Sequence, residues 1–222
     1  MVELISVLRM DTVRANLVEV REEIATAAKA AGRDPGEVEV LAATKYVSPE
    51  NLPTLAEAGI ELVGENRAQD LIAKVAAHGE LFDWDFIGRL QSRKVKAIVP
   101  HVRLIHSVAS DSVLHELSRH RADAPALEIL IEVNVAGEPG KDGVAPAQLD
   151  TFIERSPVPV VGLMTMPPFT KDPEDSRRWF AALRSLADER GLKRLSMGTS
   201  QDYRVAVAEG ATIVRIGTRL YD

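Results

Sequence analysis

Eight short apolar segments, separated by helical patterns and never by a hairpin turn, constrain this chain more than any other feature. Residues 38–43, 61–63, 85–87, 104–108, 127–135, 158–165, 194–197 and 211–216 read as strands, and the fifth is the richest in β-branched residues. Helical patterns fill the gaps at 48–59, 65–77, 91–99, 111–120, from about 146, at 173–190 and at 202–208. They are marked by caps and stops such as Ser48-Pro49, Gly79, Pro100 and Ser110. Consecutive strands joined by helices must run parallel through right-handed crossovers. Eight such units in 222 residues predict an α/β fold, a single closed (β/α)8 barrel of the TIM type, rather than an open sheet. A doubly wound Rossmann sheet is the rival, but no G-x-G-x-x-G follows the first strand.

One helix precedes the alternation. From Asp11, apolar residues recur at Val13, Leu17, Val20, Ile24 and Ala27–Ala28, and Gly32 supplies the stop. The last strand lies at the end of the chain, so this additional N-terminal helix is expected to cover the place of an eighth outer helix. The domain reading is an extension over residues 1–10 and one barrel domain over 11–222.

Composition narrows the chemistry. Cysteine is absent, which excludes disulfides, thiolate metal sites and cysteine nucleophiles. The five histidines suggest no metal site: His115 and His120 are misaligned on a helix, His78 and His101 sit near turns, and His106 reads as a satisfied structural histidine. A net charge of −6 argues against a general nucleic-acid binder, and the basic cluster of Arg89, Arg93, Lys94 and Lys96 reads as a solvated helix surface. No signal peptide and no run of membrane-spanning length is evident, so a cytoplasmic protein without membrane contact is expected.

Barrels of this kind carry their chemistry at the C-terminal ends of the strands. There, strand one runs into Thr44-Lys45, strand two into Gly64-Glu65-Asn66, strand seven into Ser196-Met197-Gly198-Thr199-Ser200 and strand eight into Arg215-Ile216-Gly217-Thr218. The last two segments suit a phosphate, since glycine admits close backbone approach and hydroxyls donate hydrogen bonds. Taken singly, either is as well read as a small-residue turn. Lys45 reads either as a phosphate-holding cation or, if desolvated, as an amine nucleophile. A lysine on one side of the mouth and a phosphate cradle on the other match an aldehyde-bearing phosphate ester.

Lys45, Val63-Gly64-Glu65-Asn66, the stretch Phe86-Ile87-Gly88-Arg89-Leu90-Gln91-Ser92, Ile105-His106-Ser107-Val108, Gly162-Leu163-Met164-Thr165, Leu195-Ser196-Met197-Gly198 and Val214-Arg215-Ile216-Gly217-Thr218 together resemble the pyridoxal phosphate homeostasis protein family. The resemblance runs in order from about Leu17 to Tyr221. It implies a barrel like the N-terminal domain of alanine racemase, with pyridoxal 5′-phosphate (PLP) as cofactor and a Schiff base from Lys45. By matching position it further implies Asn66 near the cofactor, Ser196, Ser200, Gly217 and Thr218 on the phosphate, and Arg215 facing the pyridine nitrogen. An arginine there leaves that nitrogen unprotonated and the ring a weak electron sink, which favours holding the cofactor over turning substrate over.

The implied role is PLP binding in vitamin B6 homeostasis by a monomer without catalytic turnover, with apo PLP-enzymes as recipients. Asp85 and Arg89 depart from family histidines, Thr199 stands where methionine is frequent, and the loop Gly140-Lys141-Asp142-Gly143 departs from S-K-x-G. These bear on partner surfaces and transfer. Two other readings stay open: a racemase-like PLP enzyme, and a cofactor-free sugar-phosphate isomerase or lyase barrel.

Overall fold

A computed structural model describes residues 8–124 and 126–222. Among them, strands β1 (Glu39–Ala43), β2 (Leu62–Glu65), β3 (Asp83–Phe86), β4 (Leu104–Val108), β5 (Glu128–Glu132), β6 (Val160–Met164), β7 (Arg194–Thr199) and β8 (Ile213–Ile216) form a closed barrel in sequence order. Every pairing is parallel, and β1 closes onto β8 with Leu41 opposite Arg215 and Ala42 opposite Ile216. The α/β barrel expected from the alternation is the observed fold.

The helices are α1 (Met10–Ala30), α2 (Leu52–Glu57), α3 (Ala68–His78), α4 (Val95–Ile98), α5 (Asp111–His120), α6 (Leu149–Glu154), α7 (Arg177–Asp188), α8 (Tyr203–Ala208) and α9 (Thr218–Tyr221). Among the described residues, none is long and apolar enough to cross a membrane. Helix α1 buries Val13, Leu17, Val20, Ile24 and Ala28, the stripe its spacing predicts, and ends at Ala30, with Gly32 at φ +70° turning the chain so that the Arg33 N–H reaches the Ala28 carbonyl at 2.9 Å. It packs against α8 and α9, with Asn16 Nδ2 on the Asp222 carbonyl at 2.9 Å and Arg219 on Glu19 at 2.6 Å. The outer position after β8 is therefore covered by α1, and the chain does not stop at the last strand, because α9 follows it.

Of the expected N-terminal extension, residues 1–7 lie outside the described residues, Leu8 is buried, and the helix begins at Met10. Other bounds shift for local reasons. Glu65, read as a helix start, is the fully buried end of β2, and α3 begins at Ala68. The segment expected as one helix over 91–99 is two 3-10 turns flanking the short α4, the second of them containing Pro100.

Alternate residues of a strand face opposite sides of the sheet. Outward-facing residues such as Val63, Ile105, Ile129, Leu163 and Val214 join the large core beneath the helices. Leu41, Leu62, Leu104, Leu130, Met164 and Ile213 form a separate cluster inside the barrel. Two residues further along their strands, in the same inward phase, stand His106, Glu132 and Arg215, so the barrel interior turns polar toward its C-terminal mouth.

Candidate functional site

The C-terminal mouth of the barrel opens into a cavity of about 580 Å³. Lys45, Asn66, Ser200, Arg215, Gly217 and Thr218 all line it, together with Tyr46, Arg89, Glu132, Asp142 and Tyr221. A smaller cavity of about 370 Å³ at the opposite end, around Glu39 and Arg103, has no hydroxyl side chain in its wall. Position in the fold and chemistry both favour the mouth.

Strand β1 delivers Lys45 to the rim. Its side chain is exposed, with Nζ 4.6 Å from the centre of the Tyr46 ring. Behind the lysine lies a buried ion pair that sequence reasoning missed. Lys74 Nζ donates to Glu65 and, at 2.7 Å, to the Thr44 carbonyl, while the Thr44 hydroxyl donates to the same carboxylate at 2.7 Å. The second Glu65 oxygen accepts the Asn66 N–H at 3.1 Å. One cluster thus ties down the residues preceding Lys45 and Asn66. A signal was present, since Lys74 falls in the apolar phase of α3 set by Ala68 and Leu71.

Opposite Lys45, the β7 and β8 ends meet. Ser200 Oγ accepts the Gly217 N–H at 3.0 Å, which locks the two loops together beside Thr218. Gly198 precedes this turn at φ +89°, and a Cβ there would stand 2.6 Å from the Ala206 Cβ, so only glycine fits. Arg215 rises from the barrel floor, 6% exposed, with Nη1 on Ser196 Oγ at 2.5 Å and Nη2 on the Thr165 carbonyl at 3.0 Å and Met166 Sδ at 2.8 Å. Burial pushes its guanidinium down to about 10, against Asp202 and Glu132, so it stays a cation at neutral pH. Glu132 has its carboxyl raised, first by burial and then by Asp142. Asp142 in turn pairs with Arg89 at 3.0 Å across the rim. Arg89 is therefore part of the mouth rather than only of a solvated helix face.

Ser196 departs from its expected place. It is fully buried inside the barrel, does not line the cavity, and bonds His106 Nδ1 at 2.8 Å as well as Arg215. Strand β7 extends to Thr199, past its expected end at 197, so Ser196 lies below the rim. His106, with its Nε2 on Asp85 at 3.0 Å, has both ring nitrogens satisfied, as its structural reading anticipated.

The cavity has features that fit an aldehyde-bearing phosphate ester. Asn66 Oδ1 is buried there without a hydrogen-bond partner, an acceptor held open for a donor group. Gly88 allows the β3 loop to pass this residue, since a Cβ at Gly88 would stand 2.0 Å from the Asn66 carbonyl oxygen.

No family model matches the chain. A curated relative from Aquifex aeolicus, named pyridoxal phosphate homeostasis protein, is 42% identical over 217 residues, covering 92% of this chain and 95% of its own. The chain belongs to the pyridoxal phosphate homeostasis protein family. A structure similar to this family member is PipY of Synechococcus elongatus, solved with PLP bound, at TM-score 0.79 and 29% identity over 95% of this chain and 100% of that one. Alanine racemase from Corynebacterium glutamicum matches at TM-score 0.67 and 14% identity, over 96% of this chain and 61% of that one, a likeness of fold. This member of the pyridoxal phosphate homeostasis protein family is thus an alanine racemase-like barrel.

Proposed function

We propose that this chain binds PLP through a Schiff base on Lys45 and serves cytoplasmic vitamin B6 homeostasis as a monomeric carrier without catalytic turnover. The observation that carries the reading is the convergence of Lys45 with the Ser200–Gly217–Thr218 cradle in one cavity of about 580 Å³. PipY, bound to PLP in its structure, supports the choice of cofactor.

When bound, PLP supplies an aldehyde that condenses with a primary amine and a ring able to accept electrons. Lys45 Nζ at the open rim would hold the cofactor through that aldehyde, giving its proton to solvent and releasing one water in the condensation. Ser200 and Thr218 would hold the phosphate by hydroxyl and backbone donors, with Gly217 beside them tying Ser200 in place through its N–H, and Asn66 would offer Oδ1 to the ring edge. Arg215 would present only donors to the ring nitrogen, an arrangement that suits an unprotonated acceptor there. Borohydride reduction of the loaded protein followed by peptide mapping tests the attachment. The expected adduct is one pyridoxyl group on Lys45, and an adduct on other lysines only would overturn the assignment.

A racemase-like reading requires a second acid/base opposite the lysine. Tyr46 adjoins Lys45 in sequence, and Tyr221 donates its hydroxyl to the Ala43 carbonyl at 3.2 Å, with its phenol pushed up by burial and by Glu65. Tyr221 is thereby kept protonated at neutral pH. The carrier reading therefore predicts no rapid deuterium exchange at the α-carbon of added amino acids. It also predicts that apo PLP-enzymes are reconstituted by the loaded protein.

A further inference from the structure

Across the barrel interior, side chains of four strands, β3, β4, β7 and β8, and of the turn before β4 join in one unbroken line. Arg103 Nε meets Asp85 Oδ1 at 2.9 Å, Asp85 Oδ2 meets His106 Nε2 at 3.0 Å, His106 Nδ1 meets Ser196 Oγ at 2.8 Å, and Ser196 Oγ meets Arg215 Nη1 at 2.5 Å. Asp85, His106 and Ser196 are at most 0% exposed, and Arg215 reaches 6%. Only the last member touches the cavity.

Hydrogen-bond bookkeeping gives this line a single direction. Arginine can only donate, so Ser196 Oγ accepts from Arg215 and has one O–H left. That O–H goes to His106 Nδ1, which is therefore the unprotonated nitrogen. Nε2 then carries the hydrogen and donates to the Asp85 carboxylate, which Arg103 holds from the other side. Burial lowers the imidazole's affinity for a second proton, in keeping with a neutral ring between two arginines. At the cavity end, Nη1 gives one hydrogen to Ser196 and Nη2 gives both of its own to Thr165 and Met166. The Nε–H and one Nη1–H remain for the cavity.

We propose that Asp85 and His106, acting through Ser196, are positioning residues that fix which N–H groups of Arg215 face the ring nitrogen of bound PLP. The proposal rests on the cofactor reading above and extends it to residues remote from the cavity.

Asp85→Asn keeps the shape and alters the polarity. Arg103 requires an acceptor, so the amide oxygen turns to it and the amide N–H₂ faces His106 Nε2. The ring must then carry its hydrogen on Nδ1, Ser196 receives two donors, and its own O–H loses its acceptor. Arg215 is displaced as a result. The test compares dissociation constants, by absorbance titration, for PLP and for its 1-deaza analogue, in which carbon replaces the ring nitrogen.

Asp85→Asn is expected to weaken PLP binding about tenfold, the loss of one well-placed charge-assisted hydrogen bond, and to leave the analogue unaffected. In a Ser196→Ala background the same substitution is expected to add nothing, because the line is already cut. Equal weakening of both ligands, no weakening of either, or additivity with Ser196→Ala would overturn the proposal. ¹⁵N NMR of the wild-type histidines gives an independent check that needs no variant: hydrogen on Nε2 of His106 is expected, and hydrogen on Nδ1 overturns the proposal. Failure of the wild type to bind PLP would instead overturn the cofactor reading and this proposal with it.

Discussion

His106 links the stability of the protein to pH. Burial is the main cause holding its folded-state pKa below the ordinary 6.5, with Asp85 opposing and Arg215 and Arg194 assisting. The unfolded chain binds this proton more readily than the folded one, so the contribution is fully present above about pH 6.5 and is lost as pH falls toward the folded-state value. Glu132 acts in the opposite sense, because its carboxyl is raised in the folded state. His106→Gln is therefore expected to flatten the loss of stability between about pH 6.5 and 5 in urea titrations, and an unchanged slope would contradict the buried neutral imidazole. Ser196 shows where residue-scale reading stops. Its neighbours Thr199 and Ser200 line the mouth, but it has the inward phase of Arg194 on a strand that runs on to Thr199, and that phase hides it inside the barrel.

At the scale of elements, the cluster of Thr44, Glu65 and Lys74 joins the end of β1, β2 and α3 behind Lys45. Removing one partner of a buried pair leaves the other charge uncompensated, at about 3–5 kcal/mol. Lys74→Ala is expected to lower the melting temperature by on the order of 10 °C, read by calorimetry. The Arg89–Asp142 pair, with side chains 75% and 40% exposed, belongs to the other class. Asp142→Ala should shift the melting temperature by no more than about 2–4 °C while speeding loss of bound PLP to a scavenging apo-enzyme, since the pair spans the rim. The Arg89–Asp142 pair was not legible beforehand, because it joins loops whose proximity only the closed barrel creates, whereas the apolar phase of α3 marked Lys74 as buried without naming its partner. Glu65 illustrates this: in the sequence it looks like the acidic first turn of a helix, and tertiary burial beside Lys74 makes it the end of a strand instead.

For the molecule as a whole, the period of the sequence was sufficient. Strands alternating with helices led to a parallel barrel, and the rule that barrel chemistry sits at strand C-termini selected segments whose Lys45, Asn66, Thr199, Ser200, Arg215, Gly217 and Thr218 line one cavity. The polar line from Arg103 to Arg215 stayed hidden because it depends on side chains meeting across the barrel, which no spacing along the chain encodes. The central claim, that Lys45 holds PLP covalently, is tested most directly by the visible absorption spectrum of the protein after incubation with PLP, with Lys45→Ala beside it. The account predicts a yellow band in the wild type that borohydride abolishes and that the variant never develops; a wild type without that band, or a variant that keeps it, would contradict the account.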